Sequence, residues 1–243
     1  MSLKNPISFL LIVFTFLSFL PSQAQEVHGE PDVWFLLLNH YKINDDWSVG
    51  NEFHMRYSDY LNEEEQLLIR PFVNFHANPN VVLTAGYTFI NTYPYGKYPL
   101  PVNKPENNFW EQVTVIQDIN KTNVQHRYRW EHRWQGDLVQ SGVNGPYEVD
   151  GYSYSNRFRY RLTVRRPISE KLFINIFDEL WIGMDQQLRN VAYDRNWLYL
   201  ALGLQITDKI SVQTAYLHQY VKNNPDRYEK HPTLQITVDA RIR

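Results

Sequence analysis

Apolar and polar residues alternate at every second position along most of this chain, and the alternation restarts after each turn signal. Successive side chains on a strand point to opposite faces, so the pattern predicts β-strands with one apolar and one polar face each. The clearest case is the set Leu198, Leu200, Leu202, Leu204 and Ile206. At the carboxyl end, Leu234, Ile236, Val238, Ala240 and Ile242 likewise oppose Gln235, Thr237, Asp239, Arg241 and Arg243. Further strands are read at 32–43, 46–58, 65–76, 81–93, 108–118, 171–183 and 210–221. Within 171–183 the adjacent acids Asp178 and Glu179 interrupt the alternation and suggest a bulge. Short turns fall near 45, 79, 120, 169 and 208, and longer polar connections at 59–64, 93–106, 135–152, 184–195 and 223–231.

Two segments between Asn123 and Arg166 decide which face meets which environment. In one, Gln125, Arg127, Arg129, Glu131 and Arg133 alternate with Val124, His126, Tyr128, Trp130, His132 and Trp134. In the other, Arg157, Arg159, Arg161, Thr163 and Arg165 alternate with Phe158, Tyr160, Leu162 and Val164. A soluble barrel turns its apolar face inward, whereas a transmembrane barrel turns it to lipid around a polar interior. Arginine is held within strands, Arg56 and Arg70 included, while lysines such as Lys42, Lys97, Lys121, Lys209 and Lys230 fall in turns, loops and strand ends. Guanidinium keeps its charge when partly desolvated and forks onto carboxylates, so this segregation suits a confined ionic network. The in-strand acids Glu52, Glu111, Glu131 and Glu179 are its expected partners. The plain reading is a salt-bridge network filling a narrow lumen. The sharper one is an anion-attracting constriction or a site for an acidic ligand.

The amino terminus fits export. Lys4, an apolar run from Ile7 to Leu20 and small residues at Ser22 and Ala24 read as a signal peptide over 1–24, leaving a single outer-membrane barrel domain over 25–243. No later segment approaches the roughly 18 consecutive apolar residues of a helical span. Cysteine is absent, which excludes disulfides and thiolate metal sites. The formal net charge of -2 argues against a nucleic-acid partner despite the local arginines. With 17 tyrosines and 7 tryptophans, rings are plentiful enough for two belts. Tyr93, Tyr95, Tyr98, Trp110, Trp134, Tyr152, Tyr154 and Trp197 adjoin the longer connections, and Tyr41, Trp47 and Phe173 adjoin the short turns. Strands of about 11 to 13 residues, joined alternately by short and long connections, complete the picture of an all-β, antiparallel, up-and-down transmembrane β-barrel. Eleven strands can be counted. Bacterial barrels usually have even numbers, so about ten to twelve are expected, twelve being preferred with a short strand hidden in 25–33.

Chemistry is sparse. His126, His132, Ser153 and Ser155 are the residues an outer-membrane lipid hydrolase could recruit, but there is no G-x-S-x-G elbow. No H-E-x-x-H or calcium-loop spacing points to a metal, and no cofactor is expected. In combination, Trp34, Glu52-x-x-x-Arg56, Arg70-Pro71, Gly86-Tyr87, Trp110-Glu111-Gln112, the run from Arg127 to Arg133, the run from Arg157 to Arg161 and Asn175-x-x-x-Glu179 resemble domain-of-unknown-function family 2490. The resemblance implies an outer-membrane β-barrel of Gram-negative bacteria and brings no activity with it. The expected function is therefore structural or permeable to small anions and solutes, with the lipid bilayer and the barrel-assembly machinery as partners. The alternatives are a lipid-modifying enzyme and a soluble periplasmic barrel that binds an acidic ligand.

Overall fold

The computed structural model describes residues 27–224 and 227–242, and the signal peptide expected at 1–24 lies outside them. Its elements are all strands: β1 (Val27–His28), β2 (Asp32–Lys42), β3 (Trp47–Ser58), β4 (Glu63–Asn78), β5 (Val81–Thr92), β6 (Lys104–Ile119), β7 (Thr122–Gln140), β8 (Tyr147–Pro167), β9 (Leu172–Met184), β10 (Val191–Thr207), β11 (Ile210–Asn224) and β12 (Arg227–Ile242). Each of β2 to β12 pairs with its sequence neighbours antiparallel, and β12 closes the sheet onto β2. Among the described residues no helix is long and apolar enough to cross a membrane.

The barrel has eleven staves, not twelve. A short strand does occur before residue 32, yet it adds no stave: β1 pairs with Tyr228 and Glu229 of β12, and β2 continues along the same edge from Thr233. With an odd count the first and last staves run in the same direction, so the seam from Asp32 against Thr233 to Tyr41 against Ile242 must be parallel.

Boundaries also differ from the sequence reading, by one or two residues near the short turns and by more at the long-connection end. The connection expected over 135–152 is mostly strand, because β7 continues to Gln140 and β8 starts at Tyr147. This hairpin contains a register shift between Gly136 and Leu138, and Gly151 takes a positive φ of 90° there. Its residues are exposed on both faces around the tip, so backbone pairing holds it without any demand for apolar alternation. The expected bulge at Asp178 and Glu179 is absent, and both residues pair in register with β8 and β10. Asp178 simply faces out, where Asn196 donates to it at 3.1 Å, and Glu179 faces in. The irregularity lies on β10, between Tyr193 and Arg195, opposite Trp181 and Ile182.

Polarity is inverted relative to a water-soluble barrel. Leu198, Leu200, Leu202 and Leu204 point outward, Leu202 with 55% of its surface exposed, while Trp197, Tyr199 and Ala201 between them are buried inside. One side of the interior is rich in rings: Trp34, Phe177, Trp181, Trp197, Tyr199 and Leu217 belong to a cluster contributed by β2, β9, β10 and β11. Arginines of β7 and β8 face it.

Candidate functional site

The register of β7 and β8 sets Arg129 opposite Arg159 and Arg127 opposite Arg161 on the inner wall. Like charges at directly opposed positions repel, so the arrangement survives only through the carboxylates that β7 and β9 add. Glu179, with none of its surface exposed, accepts from Arg127 at 2.5 Å, from Arg159 Nε at 2.8 Å and from Arg161 Nε at 2.9 Å. Glu131, 1% exposed, accepts from Arg157 Nε at 2.6 Å and from Arg159 Nη1 at 2.7 Å. Arg159 thus bridges the two acids and ties β7, β8 and β9 together at mid-height. On the far side Glu52 accepts from Arg70 and meets His54 at 3.1 Å.

The guanidinium planes also lie on rings. Arg159 sits 3.5 Å from the ring centre of Trp181, Arg56 3.8 Å from Trp34, Arg129 3.8 Å from Trp110, Arg161 3.9 Å from Phe177 and Arg165 3.7 Å from Phe173. Two of these rings rest over glycine directly across the strand pair. A Cβ on Gly86 would come within 2.3 Å of Trp110, and one on Gly203 within 2.1 Å of Phe173. Glycine there leaves a hollow that the aromatic fills, and the aromatic carries the arginine.

The structure brings most of the sequence-derived set into one lumen, with exceptions. Glu52, Arg70, Arg127, Glu131, Arg157, Arg159, Arg161 and Glu179 join ion pairs. Arg56 has Gln66 instead, at 2.7 Å, and Arg129 has Gln112, at 2.9 Å. Arg165 stands apart, lining a polar cavity of about 300 Å³ at the short-turn mouth with Lys209, Ser211, Asp239 and Arg241. Glu111 does not belong to the lumen. It shares the outward phase of β6 with Phe109 and Val113, its side chain is 53% exposed, and it meets His132 at 3.3 Å on the outer wall. The difference is one of phase: being in a strand does not make an acid inward, and on β6 Asn108, Trp110 and Gln112 occupy the inner face.

Sequence reasoning also passed over three acids. Glu106 grips Arg133 through two bonds of 2.8 Å, and it is in phase with Asn108 and Trp110, so extending the β6 alternation would have found it. Glu65 accepts from Trp34 Nε1 at 2.7 Å. Asp194 is the extra residue of the β10 irregularity and reaches Arg157 at 3.4 Å and Arg195 at 2.8 Å; a bulge breaks period two, so no alternation marks it. Three rings expected in the interfacial belts, Trp110, Trp197 and Phe173, are buried inside instead. Trp134 and Tyr154 do pair on the outer wall at 5.1 Å, as do Trp47 and Phe75 at 4.9 Å near the short turns.

Over the other mouth folds the connection 93–103. Gly96 donates its backbone N–H to Glu63 at 2.7 Å, and Tyr95 lies near Glu65 and Asp32. Burial, and then those two carboxylates, push the Tyr95 phenol well above its ordinary range. The residues considered for acyl transfer are scattered. Ser153 donates to Asp137, Ser155 is on the lumen side, His132 meets Tyr154 and His126 meets Tyr160. Among the described residues no group of histidine and acid side chains could hold a metal ion.

Compared with known proteins, residues 32–230 match the family described as "Protein of unknown function (DUF2490)". An uncharacterized protein of Methylorubrum extorquens is 23% identical over 210 residues, which cover 80% of this chain and 82% of the relative.

Proposed function

The chain belongs to the DUF2490 family, whose function is unknown, and from its geometry we propose an integral outer-membrane β-barrel of a Gram-negative cell, closed at mid-height to all but small ions. Its role is that of a structural membrane barrel, not of an open diffusion pore. It is exported through the signal peptide over 1–24 and inserted by the barrel-assembly machinery.

The observation that carries the reading is the pairing of an apolar outer wall with an ionic interior. Leu37, Val49, Ile69, Leu83, Val113 and the leucines of β10 all present exposed side chains on the outside. In water that wall would form a continuous apolar surface far beyond the few hundred Å² a soluble monomer exposes. In a bilayer it is the surface the environment requires. Closure is supported by the burial of Glu131, Arg159 and Glu179, which cross-link three strands where a pore would have to pass.

Two measurements test this. Membranes of the native host washed with high salt and carbonate should retain the protein, and detergent should release it in a form whose gel mobility shifts on heating. Vesicles carrying the purified barrel should not swell in isotonic sugar. Release without detergent would overturn the membrane assignment in favour of a soluble periplasmic barrel. Swelling with a disaccharide would overturn closure.

A further inference from the structure

The lumen does not balance its own charge evenly. Glu179 is shared by Arg127, Arg159 and Arg161, and Glu131 by Arg157 and Arg159, while Asp194 also reaches Arg157 and Glu52 pairs with Arg70. Arg129 stands in the middle of these groups, 2% exposed, with Arg127, Arg159 and Arg70 close enough to repel it and with Glu52 and Glu131 close enough to attract it, though neither pairs with it directly. Its Nε donates to the neutral amide of Gln112 and its plane covers Trp110, but its Nη1 meets no acceptor among the described residues. At the next inward position of β7, Arg127 Nε is also without an acceptor.

Guanidinium cannot escape such a position by losing a proton. The face of Trp110 and the fields of Glu52 and Glu131 recover part of the cost of burying the charge, and the N–H groups left without an acceptor call for one more. The unsatisfied atoms of both guanidiniums are N–H donors, so the complement is an acceptor with negative charge. We propose that Arg127 and Arg129, beside the ring of Trp110, bind a small monovalent anion of halide or nitrate size. Entry is from the short-turn mouth. Arg161 and Arg165 continue the inward row of β8 to the polar cavity, where Arg165, Lys209 and Arg241 outnumber Asp208 and Asp239 and leave a net positive charge that draws anions in. The site needs only the barrel interior, so its failure would leave the membrane assignment standing.

The full-length mature barrel, folded in detergent, is titrated with bromide at constant ionic strength, gluconate being the replaced anion. The unfolding temperature is expected to rise by about 3–5 °C for each tenfold increase in bromide above the dissociation constant. Arg129→Gln should abolish that slope without lowering the unfolding temperature in gluconate, since it removes an unpaired charge. Lys97→Gln, in the connection 93–103 at the other mouth, should leave the slope intact. Bromide-soaked crystals of the unaltered protein should show an anomalous peak within hydrogen-bonding reach of Arg129 and Arg127, a readout that does not depend on the variant folding. Equal slopes in the unaltered protein and Arg129→Gln, a flat response in the unaltered protein, or no peak at Arg129 would each overturn the assignment.

Discussion

Glu179→Gln tests whether the ionic layer holds the barrel together. The substitution keeps the shape of the side chain and one acceptor oxygen but removes the charge that three guanidiniums share. Removing one partner from a buried ion pair costs about 3–5 kcal/mol, because the other charge stays behind in a poor solvent. Arg161 has no other carboxylate among the described residues, and Arg159 keeps Glu131, so the loss falls mainly on Arg127 and Arg161. A decrease of about 3–5 kcal/mol in unfolding free energy is therefore expected in urea titrations of vesicle-inserted protein. Asp178→Asn is the matched control. It alters the neighbouring acid, on the outer wall and bonded to Asn196, and should cost about 1 kcal/mol or less. In the Glu179→Gln background, Arg161→Met should cost less than it does alone, since the two changes touch one interaction. If Glu179→Gln and Asp178→Asn were equally mild, or if the two substitutions at 179 and 161 were additive, the layer would be an ornament of the lumen and the reasoning would be wrong.

Three further outcomes follow from the same geometry. Leu200→Arg, on the outer wall at 54% exposure, should cost about 2–4 kcal/mol for folding into vesicles, and a soluble barrel would tolerate it; comparing vesicle insertion with folding in detergent separates the cases. Gly86→Ala drives a methyl into Trp110, which is fixed by Thr88 at 3.0 Å and by Arg129 above it, so a loss of about 1–3 kcal/mol and a changed tryptophan emission spectrum are expected. Trimming the tip of the β7–β8 hairpin, residues 139–148, should leave the unfolding midpoint nearly unchanged, because those residues are exposed and bury no apolar surface; a large drop would show that the hairpin packs on something outside this chain.

Much of the barrel was legible in the chain, for an identifiable reason. A strand with an apolar outer wall and a polar inner face must alternate, so Leu198 to Ile206 and Arg157 to Arg165 announce their secondary structure and their two faces. Where that constraint lapses, so does the signal. The hairpin beyond Gly136 is wet on both faces, and its strands looked like a loop. Asp194 sits in a bulge, and the alternation cannot see a residue that breaks it.

The amino-acid order by itself determined the strands, their two-faced character and the segregation of arginine into them, because these are properties of single segments. Tertiary structure alone decided the rest. Closure on a parallel seam fixed eleven staves, since strand count is a property of the ring. Register chose which acid serves which guanidinium, putting Glu179 among three of them and Glu111 outside the wall. One position of phase separates those two outcomes, and only the pairing of neighbouring strands fixes it.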